Sequence, residues 1–171
     1  MKKLLTLAIL MNIPFFSARA ESLATGSPAP VLTATDQDGQ TVDFAKIYAA
    51  GPTLVYFYPK ADTPGCTAQA CSLRDSFTGL KKEGLTILGV SRDTPAAQKK
   101  FQEKYQLPFT LIADVDGKVS AAFGVGGIMG LPVSKRESFL IVDGKVVWNT
   151  PKGAKTKDHA AEVQAALDTL P

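Results

Sequence analysis

Two cysteines, Cys66 and Cys71, stand five positions apart in a chain of 171 residues that has no others. Cys66 closes the segment Pro59-Lys60-Ala61-Asp62-Thr63-Pro64-Gly65-Cys66. Pro64 suits the first position of a helix, so the segment predicts Cys66 in the first helical turn. Unpaired backbone N–H groups and the positive end of the helix dipole lie there, and both favour a thiolate over a thiol. An unperturbed cysteine, with a pKa of ~8.5, is only about 3% thiolate at neutral pH. Lowering that pKa to ~6 gains about thirtyfold in nucleophile. This is small beside the accelerations of roughly 10⁶ or more typical of enzymes, so catalysis at Cys66 needs groups that stabilise a transition state. Thr63 and the Gly65 and Cys66 amides are the local candidates.

Other uses of the pair are weighed against redox chemistry. The spacing excludes a Cys-x-x-Cys motif. Two cysteines and one remote histidine, His159, lack zinc-ligand spacing, so no metal is expected. His159 itself reads as a solvated residue near a helix start. A passive Cys66–Cys71 disulfide stays open, although a loop this short contributes only about 2 kcal/mol in the chain-entropy model. Positions five apart in an intact α-helix have Cα atoms about 8.6 Å apart, beyond the ~7 Å that a bridge tolerates. Bridge and intact helix exclude each other. That favours a pair cycling between a helical dithiol and an unwound disulfide over a static staple.

The elements that must position these residues follow from periodicity. Leu54-Val55-Tyr56-Phe57-Tyr58 is continuously apolar, as suits a strand buried on both faces, and Pro59 ends it. A helix is predicted from Pro64 to about Lys82, with Leu73, Phe77 and Leu80 on one face and Gly84 as the stop. Strands are predicted at Thr86 to Ser91 and Phe109 to Ala113. Thr94-Pro95 opens a helix with Ala97, Phe101 and Tyr105 on one face, and Lys118 to Phe123 reads as a short helix. Val31 to Phe44 carries a hairpin signal around Asp36-Gln37-Asp38-Gly39, and Asp143-Gly144 joins Ser138–Val142 to Lys145–Asn149 in another. Gly124 to Leu131 reads as a glycine-rich loop, Glu21 to Pro30 as a flexible lead-in, and Lys157 to Leu170 as a last helix. Alternating strands and helices with added hairpins predict one α/β domain with a mixed sheet.

Composition is ordinary for a globular protein, at 45% hydrophobic and 20% charged residues, which excludes disordered, collagen-like and multi-span membrane classes. Lys2, Lys3 and Arg19 account for the whole surplus of 19 basic over 16 acidic residues. The rest is neutral, which argues against nucleic-acid and anionic-membrane partners. The same first twenty residues read as a secretory signal peptide: Lys2-Lys3, an apolar stretch from Leu4 to Phe16, then Ala18-Arg19-Ala20. Cleavage is expected after Ala20, leaving residues 21–171 as the domain, exported to the periplasm. An oxidising compartment permits disulfides, but two cysteines are too few for a disulfide scaffold.

Pro59-x-x-x-Thr63-x-x-Cys66 after an aromatic strand resembles the active-site motif of peroxiredoxins, and Cys71 five positions later resembles their bacterioferritin-comigratory, or Q-type, subfamily. The similarity runs from Gly26-Ser27-Pro28-Ala29-Pro30 to the last helix. The resemblance implies a thioredoxin-like fold, a three-layer sandwich around a mixed central sheet. It implies thiol-dependent reduction of hydrogen peroxide and organic hydroperoxides without a cofactor, by a monomer recharged by a thioredoxin-like dithiol reductant. It implies Cys66 as the peroxidatic cysteine, Cys71 as the resolving cysteine in a Cys66–Cys71 disulfide, and Thr63 as a hydroxyl contacting peroxide. Pro59, Pro64 and Gly65 then shape the loop, and Arg136, in Arg136-Glu137-Ser138-Phe139-Leu140-Ile141-Val142, matches the arginine such proteins bring in from a later strand. Two other classes remain: an exported thiol–disulfide oxidoreductase acting on protein disulfides, and a non-catalytic secreted domain with a passive disulfide.

Overall fold

The computed structural model describes residues 21–128 and 130–170, and the leader expected over residues 1–20 lies outside them. Strand β3 (Thr53–Phe57) is buried along its whole length, which its unbroken apolar run requires. It lies at the centre of a five-stranded sheet ordered β5-β4-β3-β8-β9, with β4 at Thr86–Ser91, β5 at Thr110–Ala113, β8 at Ser138–Val142 and β9 at Lys145–Asn149. Strands β3, β4 and β5 run parallel, while β8 and β9 are antiparallel additions. The sheet is mixed, as the alternation predicts.

Side chains alternate across β3, and each face meets its own helical layer. Leu54, Tyr56 and Tyr58 join Cys66, Leu73, Phe101 and Val163 in one core. These come from helices α2 (Pro64–Asp75), α4 (Pro95–Tyr105) and α6 (His159–Leu167), with Leu80 added by α3 (Phe77–Lys82). Val55 and Phe57 join Phe44, Tyr48 and Val119 on the other face, from α1 (Phe44–Ala50) and α5 (Lys118–Ala122). Helices on both faces of the sheet make three layers. Within the first core, Tyr56 pairs in register with Gly89 on β4. A Cβ at Gly89 would lie 2.7 Å from the Tyr56 hydroxyl and 2.8 Å from Leu111 Cδ2, so the absence of a side chain there makes room for the tyrosine.

Three segments differ from expectation. The helix predicted through Lys82 is broken at Ser76, which ends α2 and caps α3. Serine favours helix ends over interiors, and here it is the Ser76 backbone carbonyl, not its side chain, that accepts from Gly79 and Leu80 at the start of α3. The lead-in is tied down rather than flexible. Gly26 N–H donates to Val146 at 2.7 Å, Ala29 N–H to Gly144 at 2.8 Å, and Asn149 Nδ2 reaches the Leu23 carbonyl at 2.6 Å. Strand β9 is a sheet edge, and its open hydrogen-bonding groups capture this segment. The glycine-rich loop carries strand β6 (Gly127–Ile128), which pairs antiparallel with β7 (Leu131–Ser134), a strand that opens on the loop's last residue. The first hairpin matches its signal, with β1 (Thr33–Thr35) antiparallel to β2 (Thr41–Asp43).

Candidate active site

Chain leaving the C-terminal end of β3 turns through Pro59–Thr63 and enters α2 with Pro64 at its first position. That is the mouth of an α/β sheet, where ligand sites recur. The turn is held from outside. Asp62 sits in the left-handed region at φ 58°, and its carboxylate accepts from Lys104 Nζ at 2.8 Å and the Tyr105 hydroxyl at 2.6 Å. Those donors keep the Asp62 carboxyl below its usual range, the Lys104 hydrogen bond most of all. Ala61 N–H donates to Asp93 at 2.7 Å. The Thr63 hydroxyl donates to the Lys60 carbonyl at 2.9 Å, which leaves its oxygen lone pairs as acceptors.

Cys66 lies in the first turn of α2, as predicted, and is 2% exposed. Cys71 is half-buried on the same unbroken helix, and both are free thiols. Intact helix and unbridged pair coexist, as helix geometry requires. Arg136, in the segment just before β8, donates from Nη2 to Cys66 Sγ at 3.3 Å, a contact that an anionic sulfur makes better than a neutral one. Gly65 allows this approach, because a Cβ there would stand 3.3 Å from the same Nη2. An open cleft of about 370 Å³, lined in part by Lys135, Arg136 and Lys152, reaches the arginine from solvent. The fold therefore brings together Thr63, Gly65, Cys66 and Arg136 from the expected set, with Pro59 and Pro64 bounding the turn.

Behind the arginine lies a relay that the sequence reading missed. Arg136 Nη1 donates to Gln69 Oε1. Gln69 Nε2 lies 3.1 Å from His159 Nδ1, and His159 Nε2 lies 2.9 Å from Ser138 Oγ. Gln69 follows Cys66 by three positions and shares its helix face, a signal the sequence does contain. His159 is a correction: it is fully buried, not solvated. As the first residue of α6 it faces α2 and β8, and its ring meets Tyr56 edge-on at 5.8 Å. Burial above all, and then the charge of Arg136, push its pKa down to about 3.

Known proteins are similar to this chain in fold and sequence. Residues 25–149 match the model of the AhpC/TSA family. The chain is 42% identical over 149 residues to the chloroplastic peroxiredoxin Q of Oryza sativa subsp. japonica, covering 86% of this chain and 68% of that protein. It is 47% identical over 130 residues to peroxiredoxin Bcp of Escherichia coli K12, covering 72% and 83%. Among solved structures, peroxidoxin BcpB of Mycobacterium tuberculosis superposes with a TM-score of 0.81 at 32% identity, over 88% of this chain and 99% of that one. Peroxiredoxin Q of Xanthomonas campestris gives 0.73 at 30% identity, over 82% and 95%. A buried cysteine opening a helix on a thioredoxin-like sheet, with these relatives, identifies a thiol-dependent peroxidase. The chain belongs to the AhpC/TSA family, as a peroxiredoxin similar to its Q and Bcp members.

Proposed function

We propose that Cys66 is the peroxidatic cysteine and that Arg136 is its electrostatic partner. The observation that carries this reading is the 3.3 Å contact from Arg136 Nη2 to Cys66 Sγ at the start of α2. The Cys66 thiolate attacks one peroxide oxygen, the O–O bond breaks, and the leaving oxygen takes a proton to depart as water or an alcohol. Arg136 and the Gly65 and Cys66 amides hold the negative charge that moves from sulfur to the leaving oxygen. Thr63 Oγ1, whose own hydrogen is engaged by Lys60, accepts from the peroxide O–H. Cys66 is left as a sulfenic acid. The Cys71 thiol condenses with it to form the Cys66–Cys71 disulfide and release water. An external dithiol then exchanges with that disulfide and is itself oxidised.

The compartment belongs to the same proposal. A leader cleaved after Ala20 delivers the domain to the periplasm as a monomer, reduced there by a thioredoxin-like partner.

Stopped-flow mixing of the reduced protein with hydrogen peroxide tests the assignment. Cys66→Ser is expected to abolish peroxide consumption. Cys71→Ser is expected still to consume one equivalent and to stop at a sulfenic acid that a dimedone-type reagent traps. Equal loss of the first turnover in both variants refutes these roles. Disulfide exchange with protein thiols and no reaction with peroxide would favour an oxidoreductase instead.

A further inference from the structure

The relay behind Arg136 has only one consistent direction. A guanidinium donates and never accepts, so Gln69 must turn Oε1 towards Arg136 and Nε2 towards His159. The amide nitrogen only donates, so His159 Nδ1, 3.1 Å away, must accept. The imidazole is then neutral, with its proton on Nε2 and directed at Ser138 Oγ. A proton on Nδ1 would face the Gln69 NH₂ group, donor against donor. Relief would need a half-turn of the amide, which would then present NH₂ to the guanidinium.

Among the described residues, Gln69 is the only side chain besides Cys66 that accepts a hydrogen bond from Arg136. The arginine takes part in none of the ion pairs among the described residues. Its Nη1 rests on Gln69 while Nη2 faces Cys66. The direction of the Gln69 amide therefore decides where the guanidinium points. His159 sits where such a decision is reliable. It is fully buried and edge-on to Tyr56, and both the low polarity of the site and the nearby Arg136 charge keep it unprotonated.

We propose that His159 is a positioning residue for the peroxidase reaction: its unprotonated Nδ1 holds the Gln69 amide in the one orientation that receives Arg136, and so aims the guanidinium at Cys66 Sγ. The inference rests on the roles given above to Cys66 and Arg136. It adds a residue that reaches the reacting sulfur only through two others.

Three measurements decide it. His159 is the only histidine in the chain, so ¹⁵N NMR of the reduced protein reads a single imidazole. Nδ1 is expected to be of the unprotonated type and Nε2 to carry the proton. A proton found on Nδ1 overturns the proposal. The rate of Cys66 oxidation by hydrogen peroxide is then compared in His159→Leu, which cannot accept, and His159→Asn, whose Oδ1 takes the place of Nδ1. The leucine variant is expected to slow by about tenfold to a hundredfold, the scale of a misplaced reacting group, with the asparagine variant within about threefold of the parent. A leucine variant at the parent rate overturns the proposal, and so does an asparagine variant as slow as the leucine variant while both keep the native circular dichroism. If the leucine variant does not fold, the asparagine rate and the NMR signature still decide. A parent protein inert to peroxide would instead refute the peroxidase roles, and the NMR signature would judge the relay on its own.

Discussion

The backbone amide of Ala160, in the first turn of α6, donates to the side-chain hydroxyl of Ser72, in α2, at 3.1 Å. This bond divides α2 into two parts. Beyond it, Leu73 is fully buried and Arg74 Nη1 holds the Tyr105 carbonyl at 2.9 Å. Before it lie both cysteines. A Cys66–Cys71 disulfide cannot form on an intact helix, because five residues separate the Cα atoms by about 8.6 Å. Oxidation is therefore expected to unwind Pro64 to Cys71 and to leave Ser72 to Asp75 helical. Hydrogen exchange on the two redox states reads this as faster exchange at Thr67 to Cys71 only in the disulfide form. Equal protection in both states would mean that the bridge forms between chains, visible as a covalent dimer on a non-reducing gel.

Arg136→Ala removes the one side-chain donor that Cys66 Sγ meets among the described residues. The first step with peroxide is expected to slow by about 10²-fold, the scale of losing a donor that stabilises transition-state charge. Stopped-flow rates under single-turnover conditions measure it. An unchanged rate would reduce Arg136 to a structural neighbour of Gln69.

Acid stability should carry the mark of His159. Its folded pKa is depressed to about 3 from an ordinary 6.5. As pH falls below 6.5 the unfolded chain takes up a proton that the folded chain refuses. The stability due to a neutral His159 is therefore full above pH 6.5 and declines as pH falls towards 3. Urea unfolding from pH 7 to 5 should show a loss of stability that is flatter in His159→Asn. Parallel curves for the two proteins would place the proton uptake elsewhere.

Gly89→Ala tests the fit around Tyr56. The added Cβ would stand 2.7 Å from the tyrosine hydroxyl and 2.8 Å from Leu111 Cδ2, and overpacking of this kind costs about 1–3 kcal/mol. The Tyr56 hydroxyl is buried with no hydrogen-bond partner among the described residues, so Tyr56→Phe removes a group that stabilises nothing. The double variant should recover part of the loss in urea unfolding. A Gly89→Ala protein as stable as the parent would show that β4 shifts freely against β3.

The leader prediction has a direct readout. Mass determination of the exported protein is expected to find a chain beginning at Glu21. Recovery of the intact 171-residue chain from the cytoplasm alone would remove both the cleavage site and the compartment.

Sequence alone determined what rests on neighbours within a strand or a helical turn. The buried run at Leu54 to Tyr58, the proline that opens α2, Cys66 in its first turn and the Asp143-Gly144 hairpin are all local patterns, and the structure bears each of them out. Their alternation was enough for a mixed α/β sheet, and the Pro59-x-x-x-Thr63-x-x-Cys66 motif was enough to name a family. Tertiary structure decided the company that Cys66 keeps. Arg136 meets it across 70 positions and His159 meets Gln69 across 90, and Asn149 ties down Leu23 across 126. Periodicity shows which face of an element is apolar, but not which polar group a distant element brings to it. A lone histidine at a helix start has the same local pattern whether water or a buried amide meets its ring, and here the packing of α6 against α2 and β8 settled the matter.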